Sequence, residues 1–286
     1  SLVGSEMCIR DRHRRKGIFY MENLQSDHLD TQNLYRDMQK RTGGEIYIGV
    51  VGPVRTGKST FIKRFMDVAV LPYMEDAAQK TRAQDELPQS AGGRTITTTE
   101  PKFIPQEAVE LKLAGEVTIR VRLVDCVGFM VEGAAGHLED GAERLVKTPW
   151  YDHEIPFTQA AELGTRKVIT DHSTIGVVVT TDGSFSDLPQ ETYLDAENQA
   201  ISELKKLHKP FLVLVNSSHP SSRTAREAAE RIEKQHSVAA MPVNCAQLSE
   251  EDIRQIMEQI LYEFPVSRVE FYICLLYTSP SPRDCS

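Results

Sequence analysis

The sequence is poor in cysteine, in positive charge and in long apolar runs, and each shortage excludes a class of protein. Five cysteines occur in 286 residues, and only Cys126 and Cys245 lie away from the ends, which supports neither a disulfide framework nor a zinc pattern. A reducing cytoplasm is therefore the expected compartment. Acidic residues outnumber basic ones by 41 to 33, which argues against non-specific binding to nucleic acid. No apolar run reaches the ~18 residues of a membrane span.

The two ends of the chain are expected to be foreign to the fold. Residues 1–12 and 274–286 can be encoded by one DNA stretch read on opposite strands, which resembles a sequencing adapter translated at both ends of a fragment. Residues 13–20 fit a translated ribosome-binding leader, so that Met21 becomes the expected start. A basic N-terminal signal is the alternative, but it would need a continuous apolar core, which is absent here.

The middle of the chain alternates apolar strands with amphipathic helices, which predicts an α/β fold with a mostly parallel sheet covered on both faces. The predicted strands are 45–51, 102–113, 116–125, 174–180, 211–215 and 238–243. The predicted helices are 30–41, 58–70, 157–170, 190–207, 221–236 and 249–262. We expect residues 71–100 and 126–156 to be long loops. We divide the chain into an adapter and leader (1–20), a helical lead-in (21–44), one domain (45–265), the start of another domain (266–273) and a second adapter (274–286).

One segment matches the phosphate-binding motif G-x-x-x-x-G-K-[ST] in full, between a predicted buried strand and a predicted helix. Its glycines allow a tight turn and close approach to a phosphate, and its amides and the helix N-terminus point at the anion. Lys58 is suited to the β- and γ-phosphates, and the Ser59 hydroxyl to Mg²⁺. The motif comprises Gly52, Pro53, Val54, Arg55, Thr56, Gly57, Lys58, Ser59 and Thr60.

A second motif closes the strand that ends at Asp125. An aspartate at a strand end beside a phosphate loop can hold Mg²⁺ directly or through water. Gly128, three residues later, can donate its backbone N–H to a γ-phosphate. In the preceding loop, Thr98 and Thr99 stand where switch proteins place a threonine that senses the γ-phosphate through Mg²⁺. Either threonine fits, and a solvated strand start is the alternative for both.

Two features that are common in GTPases are missing. Phe129 occupies the position after D-x-x-G where a glutamine often orients the attacking water, so another group, a partner or a second copy must position that water. Asn216 follows a predicted strand where a guanine-reading Asn-Lys-x-Asp would begin, but the lysine and the aspartate are absent. A missing carboxylate partner weakens discrimination for guanine by orders of magnitude, so we predict ATP rather than GTP.

Several segments of the chain have features with no general role in phosphate-loop proteins. These segments are 41–63, 83–90, 98–103, 123–128, 148–151, 164–169 and 261–266. They resemble the stage IV sporulation protein A family of endospore-forming Firmicutes, and the resemblance covers about 29–266.

The resemblance implies a P-loop NTPase fold of the translation-factor GTPase class that has become an ATPase. It implies Lys58 as the phosphate-loop lysine, Asp125 as the Mg²⁺-associated aspartate, and Thr98 and Thr99 as sensor threonines. It further implies ATP-driven self-assembly into the basement layer of the spore coat, in the mother cell at the forespore surface. The implied partners are other copies of the chain, coat proteins and a small amphipathic membrane-anchoring protein, which contact domains missing here. A GTP switch and a nucleotide-bound scaffold without turnover remain alternatives.

Overall fold

A computed structural model of the chain describes residues 36–88, 100–113, 117–134, 138–139, 142–185 and 188–264. Within these residues six strands form one sheet, in the order β10 (Ala240–Val243), β9 (Phe211–Asn216), β8 (Ile175–Thr181), β1 (Glu45–Val51), β3 (Val117–Asp125) and β2 (Lys102–Leu113). Strands β1, β3, β8, β9 and β10 run parallel, and β2 is antiparallel to β3. The predicted mostly parallel α/β sheet is therefore confirmed.

The strands of the main sheet are β1 (Glu45–Val51), β2 (Lys102–Leu113), β3 (Val117–Asp125), β8 (Ile175–Thr181), β9 (Phe211–Asn216) and β10 (Ala240–Val243). Two small hairpins are formed by β4 (Leu138–Glu139), β5 (Ala142–Glu143), β6 (Leu145–Thr148) and β7 (Tyr151–Pro156). The helices are α1 (described over 36–42), α2 (Lys58–Phe65), α3 (Ala77–Asp85), α4 (Phe157–Lys167), α5 (Leu194–Lys206), α6 (Arg223–His236) and α7 (Glu250–Tyr262). Helices α2 and α4 continue into π-helical turns, Met66–Val70 and Val168–His172.

Alternate residues of the central strands belong to two separate hydrophobic clusters, one on each face of the sheet. In β9, Leu212 and Leu214 join the cluster that is covered by α1, α2 and α7. Val213 and Val215 point the other way and join the cluster that is covered by α5, α6 and the π-helical turn after α4. This alternation follows from the two-residue period of a strand, and it explains why β9 is apolar at five consecutive positions.

The two predicted long loops contain regular structure, so these loop predictions are wrong in part. Helix α3 begins after Asp76, whose carboxylate accepts hydrogen bonds from the amides of Ala78 and Gln79. The second region contains the two hairpins, and β6 and β7 form a ribbon separate from the main sheet. Residues 89–99, which include Thr98 and Thr99, lie outside the described residues.

Candidate nucleotide-binding site

The phosphate loop follows β1 and leads directly into α2, as the motif predicts. Gly52 and Gly57 have φ angles of 131° and 96°, in the left-handed region that glycine enters without steric cost. Arg55 also has a left-handed φ, 61°, and its side chain is exposed between the buried residues Val54 and Thr56. The Thr56 hydroxyl lies 3.0 Å from the Pro53 carbonyl oxygen and 2.6 Å from that of Val179. The loop is thereby attached to strand β8.

Three polar side chains from two elements meet at the start of α2. Lys58 is 4% exposed, and its ammonium donates a 2.6 Å hydrogen bond to the Pro53 carbonyl. The Ser59 hydroxyl donates a 2.7 Å hydrogen bond to Asp125 Oδ2 at the end of β3. Parallel strands β1 and β3 are neighbours with their carboxyl ends at one edge, which is why residues 66 positions apart come together here.

Burial shifts the pKa of each ionisable group in this cluster toward its neutral form. It lowers the pKa of Lys58, and the nearby carboxylate of Asp125 opposes that shift. It raises the pKa of Asp125, against the hydrogen bond from Ser59 and the charge of Lys58. Burial also raises the pKa of the Cys126 thiol to about 11. A phosphate that enters this buried cluster would bring negative charge close to Asp125. It therefore needs cationic and amide partners.

The D-x-x-G segment packs directly onto the phosphate loop. Phe129 donates its amide to the Gly52 carbonyl (3.0 Å) and accepts from the Val54 amide (2.9 Å) through its own carbonyl. A Cβ on Gly128 would lie 2.3 Å from the Gly52 carbonyl oxygen and 2.6 Å from Lys58 Nζ. Only a glycine fits between the loop and the lysine.

Phe129 has no exposed surface and belongs to the cluster that is covered by α5, α6 and the π-helical turn after α4. Its ring therefore fills the core and cannot orient a water. This burial agrees with the prediction from the sequence that residue 129 does not orient the attacking water as a glutamine would.

Thr165 on α4 completes the wall behind Gly128. Its hydroxyl donates to the Ala161 carbonyl at 2.8 Å and accepts from the Gly128 amide at 3.2 Å. The residue is fully buried. Neither motif spacing nor composition predicts this contact, because it joins two elements 37 residues apart.

Asn216 uses both ends of its carboxamide to connect three segments. Nδ2 donates to the Thr56 carbonyl in the phosphate loop, and Oδ1 accepts from the Cys245 amide after β10, each at 3.0 Å. The following residues are held by local hydrogen bonds, in which Ser217 and Ser184 hydroxyls accept from the amides of His219 and Ser218. No carboxylate occurs in residues 216–219.

The structure thus brings together Lys58, Ser59, Asp125 and Gly128 around the predicted loop. Thr98 and Thr99 fall outside the described residues, so their placement stays a prediction. Asp125 also meets a test of fit for a cation. Its Oδ1 is buried and accepts no hydrogen bond among the described residues, while Oδ2 already faces the Ser59 hydroxyl. Two hard oxygen donors at this point suit Mg²⁺.

This strand order, a glycine loop after the central strand and an aspartate closing the neighbouring strand define a P-loop nucleotide-binding protein. The family model for the ATPase domain of stage IV sporulation protein A matches residues 29–265. The chain belongs to that family.

Curated relatives agree with the family model. Stage IV sporulation protein A of Clostridioides difficile (strain 630) is 50% identical over 237 residues, which cover 83% of this chain and 48% of the relative. The proteins of the same name from Bacillus subtilis (strain 168) and Bacillus anthracis are 46% and 45% identical over 241 residues, each covering 84% of this chain and 49% of the relative. The chain therefore spans about half the length of these relatives.

Comparison with solved structures finds more distant similarity. The crystal structure of a mutation variant of SsGBP aligns with a TM-score of 0.43 and 13% identity, over 83% of this chain and 64% of that one. The fold assignment rests on the strand order above. Among the described helices, none is long and apolar enough to cross a membrane.

Proposed function

We propose that this chain binds and hydrolyses ATP with Mg²⁺, and that in the whole protein this hydrolysis drives self-assembly. The observation that carries the proposal is the convergence of Lys58, Ser59, Asp125 and Gly128 on one glycine loop. The family's description as an ATPase domain supports it.

The chemistry required of the chain is placement and charge stabilisation. Water oxygen bonds to the γ-phosphorus as the bond to the β–γ bridging oxygen breaks, which yields ADP and phosphate. Amides of the loop hold the β-phosphate, and the Lys58 ammonium exchanges the neutral Pro53 carbonyl for an anionic phosphate oxygen, a stronger acceptor. The Gly128 amide stabilises the negative charge on the γ-phosphate oxygens.

A magnesium ion would be held by the Ser59 hydroxyl and by Asp125, directly or through water. When bound, it neutralises charge shared between the β- and γ-phosphates. Thr98 is the further residue proposed to contact the magnesium ion. Thr99, the next residue, is proposed to sense the γ-phosphate with it.

We propose ATP as the nucleotide because the segment after β9 contains no guanine-reading aspartate. Asn216, the one residue retained from that motif, has its carboxamide engaged by Thr56 and Cys245. Residues 216–219 therefore offer guanine N1–H no carboxylate partner, whereas adenine does not require one.

The relatives' printed name, stage IV sporulation protein A, supports a role for the proposed activity in sporulation. We propose that the whole protein acts in the mother-cell cytoplasm, at the outer surface of the forespore, as the basement layer of the spore coat. Its proposed partners are further copies of itself, coat proteins and a small amphipathic membrane-anchoring protein. We propose that segments of the whole protein outside the ATPase domain make these contacts.

Buried Phe129 favours one competing function, a nucleotide-bound scaffold that does not turn over. The two functions make the same binding contacts and differ only in the release of phosphate. A GTP-dependent switch is the other alternative, and it differs in the base that is bound.

The deciding experiment compares the purified chain with Lys58→Ala and with Lys63→Ala as a control on the same helix. We expect phosphate release from Mg·ATP by wild type and Lys63→Ala, and a loss of about 100-fold or more in Lys58→Ala. If all three proteins release phosphate only at the background rate while wild type binds ATP tightly, the result would support the scaffold function. Equal or tighter binding of GTP than of ATP, measured by competition, would select the switch.

A further inference from the structure

The Gly128 amide has one hydrogen to donate, and in this structure it goes to Thr165. The N···O distance is 3.2 Å, within the range of an ordinary N–H···O hydrogen bond. A γ-phosphate oxygen bound as proposed above needs the same hydrogen. Thr165 and the γ-phosphate are therefore alternative acceptors for one donor.

The Thr165 hydroxyl donates to one carbonyl and accepts from Gly128, and the Cys126 thiol lies beside both groups. The hydroxyl hydrogen of Thr165 is directed at the Ala161 carbonyl one helical turn earlier, at 2.8 Å. The lone pairs of the same oxygen are then left for Gly128. Thr165 has no exposed surface, so water does not replace a lost hydrogen-bond partner. Breaking either hydrogen bond therefore leaves a buried polar group unsatisfied.

The position of Gly128 links this bond to the terminal phosphate rather than to the rest of the nucleotide. A Cβ on Gly128 would lie 2.6 Å from Lys58 Nζ, so the glycine adjoins the cation assigned to the β- and γ-phosphates. The loop amides assigned to the β-phosphate belong to a different segment. A diphosphate would leave the Gly128–Thr165 bond intact, and a triphosphate would compete with it.

We propose that Thr165 lowers the preference of the site for triphosphate over diphosphate, because its hydroxyl oxygen competes with the γ-phosphate for the Gly128 N–H. Thr165 is a positioning residue, which touches the glycine and not the nucleotide. This inference rests on the proposed function, since it requires a nucleotide in the phosphate loop. Its structural consequence is that α4 is attached to the D-x-x-G segment with ADP and detached from it with ATP.

The test is the ratio of the dissociation constants of ADP and a slowly hydrolysed ATP analogue, with Mg²⁺, for wild type, Thr165→Val and Thr165→Ser. Valine keeps the shape and removes the acceptor, so we expect the analogue to gain roughly 2- to 12-fold over ADP, the worth of one hydrogen bond. Serine keeps the acceptor and is expected to keep the wild-type ratio.

Thr170→Val is the matched control. The Thr170 hydroxyl makes the same kind of bond to a carbonyl four residues earlier, Arg166, at 3.0 Å, but the residue is exposed and the Gly128 amide donates to Thr165 instead. Its ratio is expected to equal that of wild type. A purely structural role for Thr165 would lower stability and affinity for both nucleotides and leave the ratio unchanged, which would overturn the proposal. A ratio that falls would also overturn it.

Two further outcomes are separable. If wild type binds neither nucleotide, the proposed function fails first and the inference fails with it. If Thr165→Val does not fold, hydrogen exchange of wild type decides. Peptides covering Phe157–Lys167 should then exchange faster with the ATP analogue than with ADP, and equal exchange would reject the role of Thr165.

Discussion

Asn216 keeps a structural contact at the start of a motif that is otherwise incomplete in this chain. Its position is that of the asparagine that opens a guanine-reading motif, but the motif's lysine and aspartate are missing. The carboxamide still joins the phosphate loop to the segment after β10. We infer that this structural contact can be kept without base recognition.

Gly57 offers a direct test of that contact. An alanine Cβ at this position would lie 2.3 Å from Asn216 Nδ2, so the carboxamide would have to leave Thr56. We expect Gly57→Ala to lower the free energy of unfolding by more than about 2 kcal/mol and to abolish nucleotide binding.

Gly43→Ala is the control, because Gly43 shares a left-handed φ but has nothing within 4 Å of the added Cβ. Backbone strain alone should cost it about 1 kcal/mol, with nucleotide affinity retained. Chemical denaturation and nucleotide titration measure both quantities. Equal losses in the two variants would show that the Asn216 contact contributes nothing.

The residues of the site were predictable to different degrees. Lys58, Ser59 and Asp125 follow from local motifs, because phosphate binding imposes fixed spacing along the chain. Gly128 follows from the D-x-x-G pattern. Thr165 does not follow from the sequence, since its contact depends on how α4 lies against the sheet, and no periodic signal encodes that.

Among the secondary-structure elements, sequence patterns predict the six strands of the main sheet within about two residues and most helices within about three. The apolar strands were clear because both faces are buried. Helix α3 was missed, since its one buried residue is Ala83 and it presents no apolar stripe. Its signal was the N-cap Asp76 followed by good helix formers. The β6–β7 hairpin was missed because four of the six residues of β7 are exposed.

The contact between α5 and α6 contains a pH-sensitive group. His236 Nε2 lies 2.8 Å from Asn198 Oδ1. Burial lowers the pKa of His236, and the charges of Lys205 and Arg231 add to that shift against the opposing carboxylate of Glu197. A histidine whose pKa is lower in the folded state contributes stability above its unfolded pKa of about 6.5, and that contribution is lost as the pH falls.

We therefore expect His236→Gln to reduce the loss of unfolding free energy between about pH 7.5 and about pH 5. Urea denaturation at several pH values measures that loss. Burial also lowers the pKa of His172, so this residue should account for a separate part of the pH dependence of the unfolding free energy. The double variant His172→Gln/His236→Gln should therefore show the weakest pH dependence. A steeper dependence in His236→Gln than in wild type would contradict the assigned direction.

At the scale of the whole molecule, one buried ionic network connects the sheet to two of its covering helices. Glu197 on α5 is 1% exposed and lies between β8 and α6. Its Oε2 accepts from the Thr180 hydroxyl at 2.7 Å, and its Oε1 lies 2.8 Å from Arg231. Truncating one member leaves the other polar groups without partners.

Glu197→Gln should lower the free energy of unfolding by roughly 1–3 kcal/mol. Glu230→Gln is the matched control, since Glu230 also pairs with a cation, Lys234 at 3.2 Å, but both side chains are more than half exposed. That change should be close to neutral. Urea midpoints at constant m value distinguish the two, and equal midpoints would refute a structural role for the buried network.

The carboxamide of Asn216 also ties an edge of the molecule to its centre. Strand β10 has a neighbour on one side only within the described sheet, and outer strands are where fraying begins. Opening of β10 would remove the Cys245 amide from Asn216, whose other end holds the phosphate loop. We expect a ligand bound by that loop to act in the reverse direction. It should slow proteolysis at β10, a border of the sheet that the ligand does not contact.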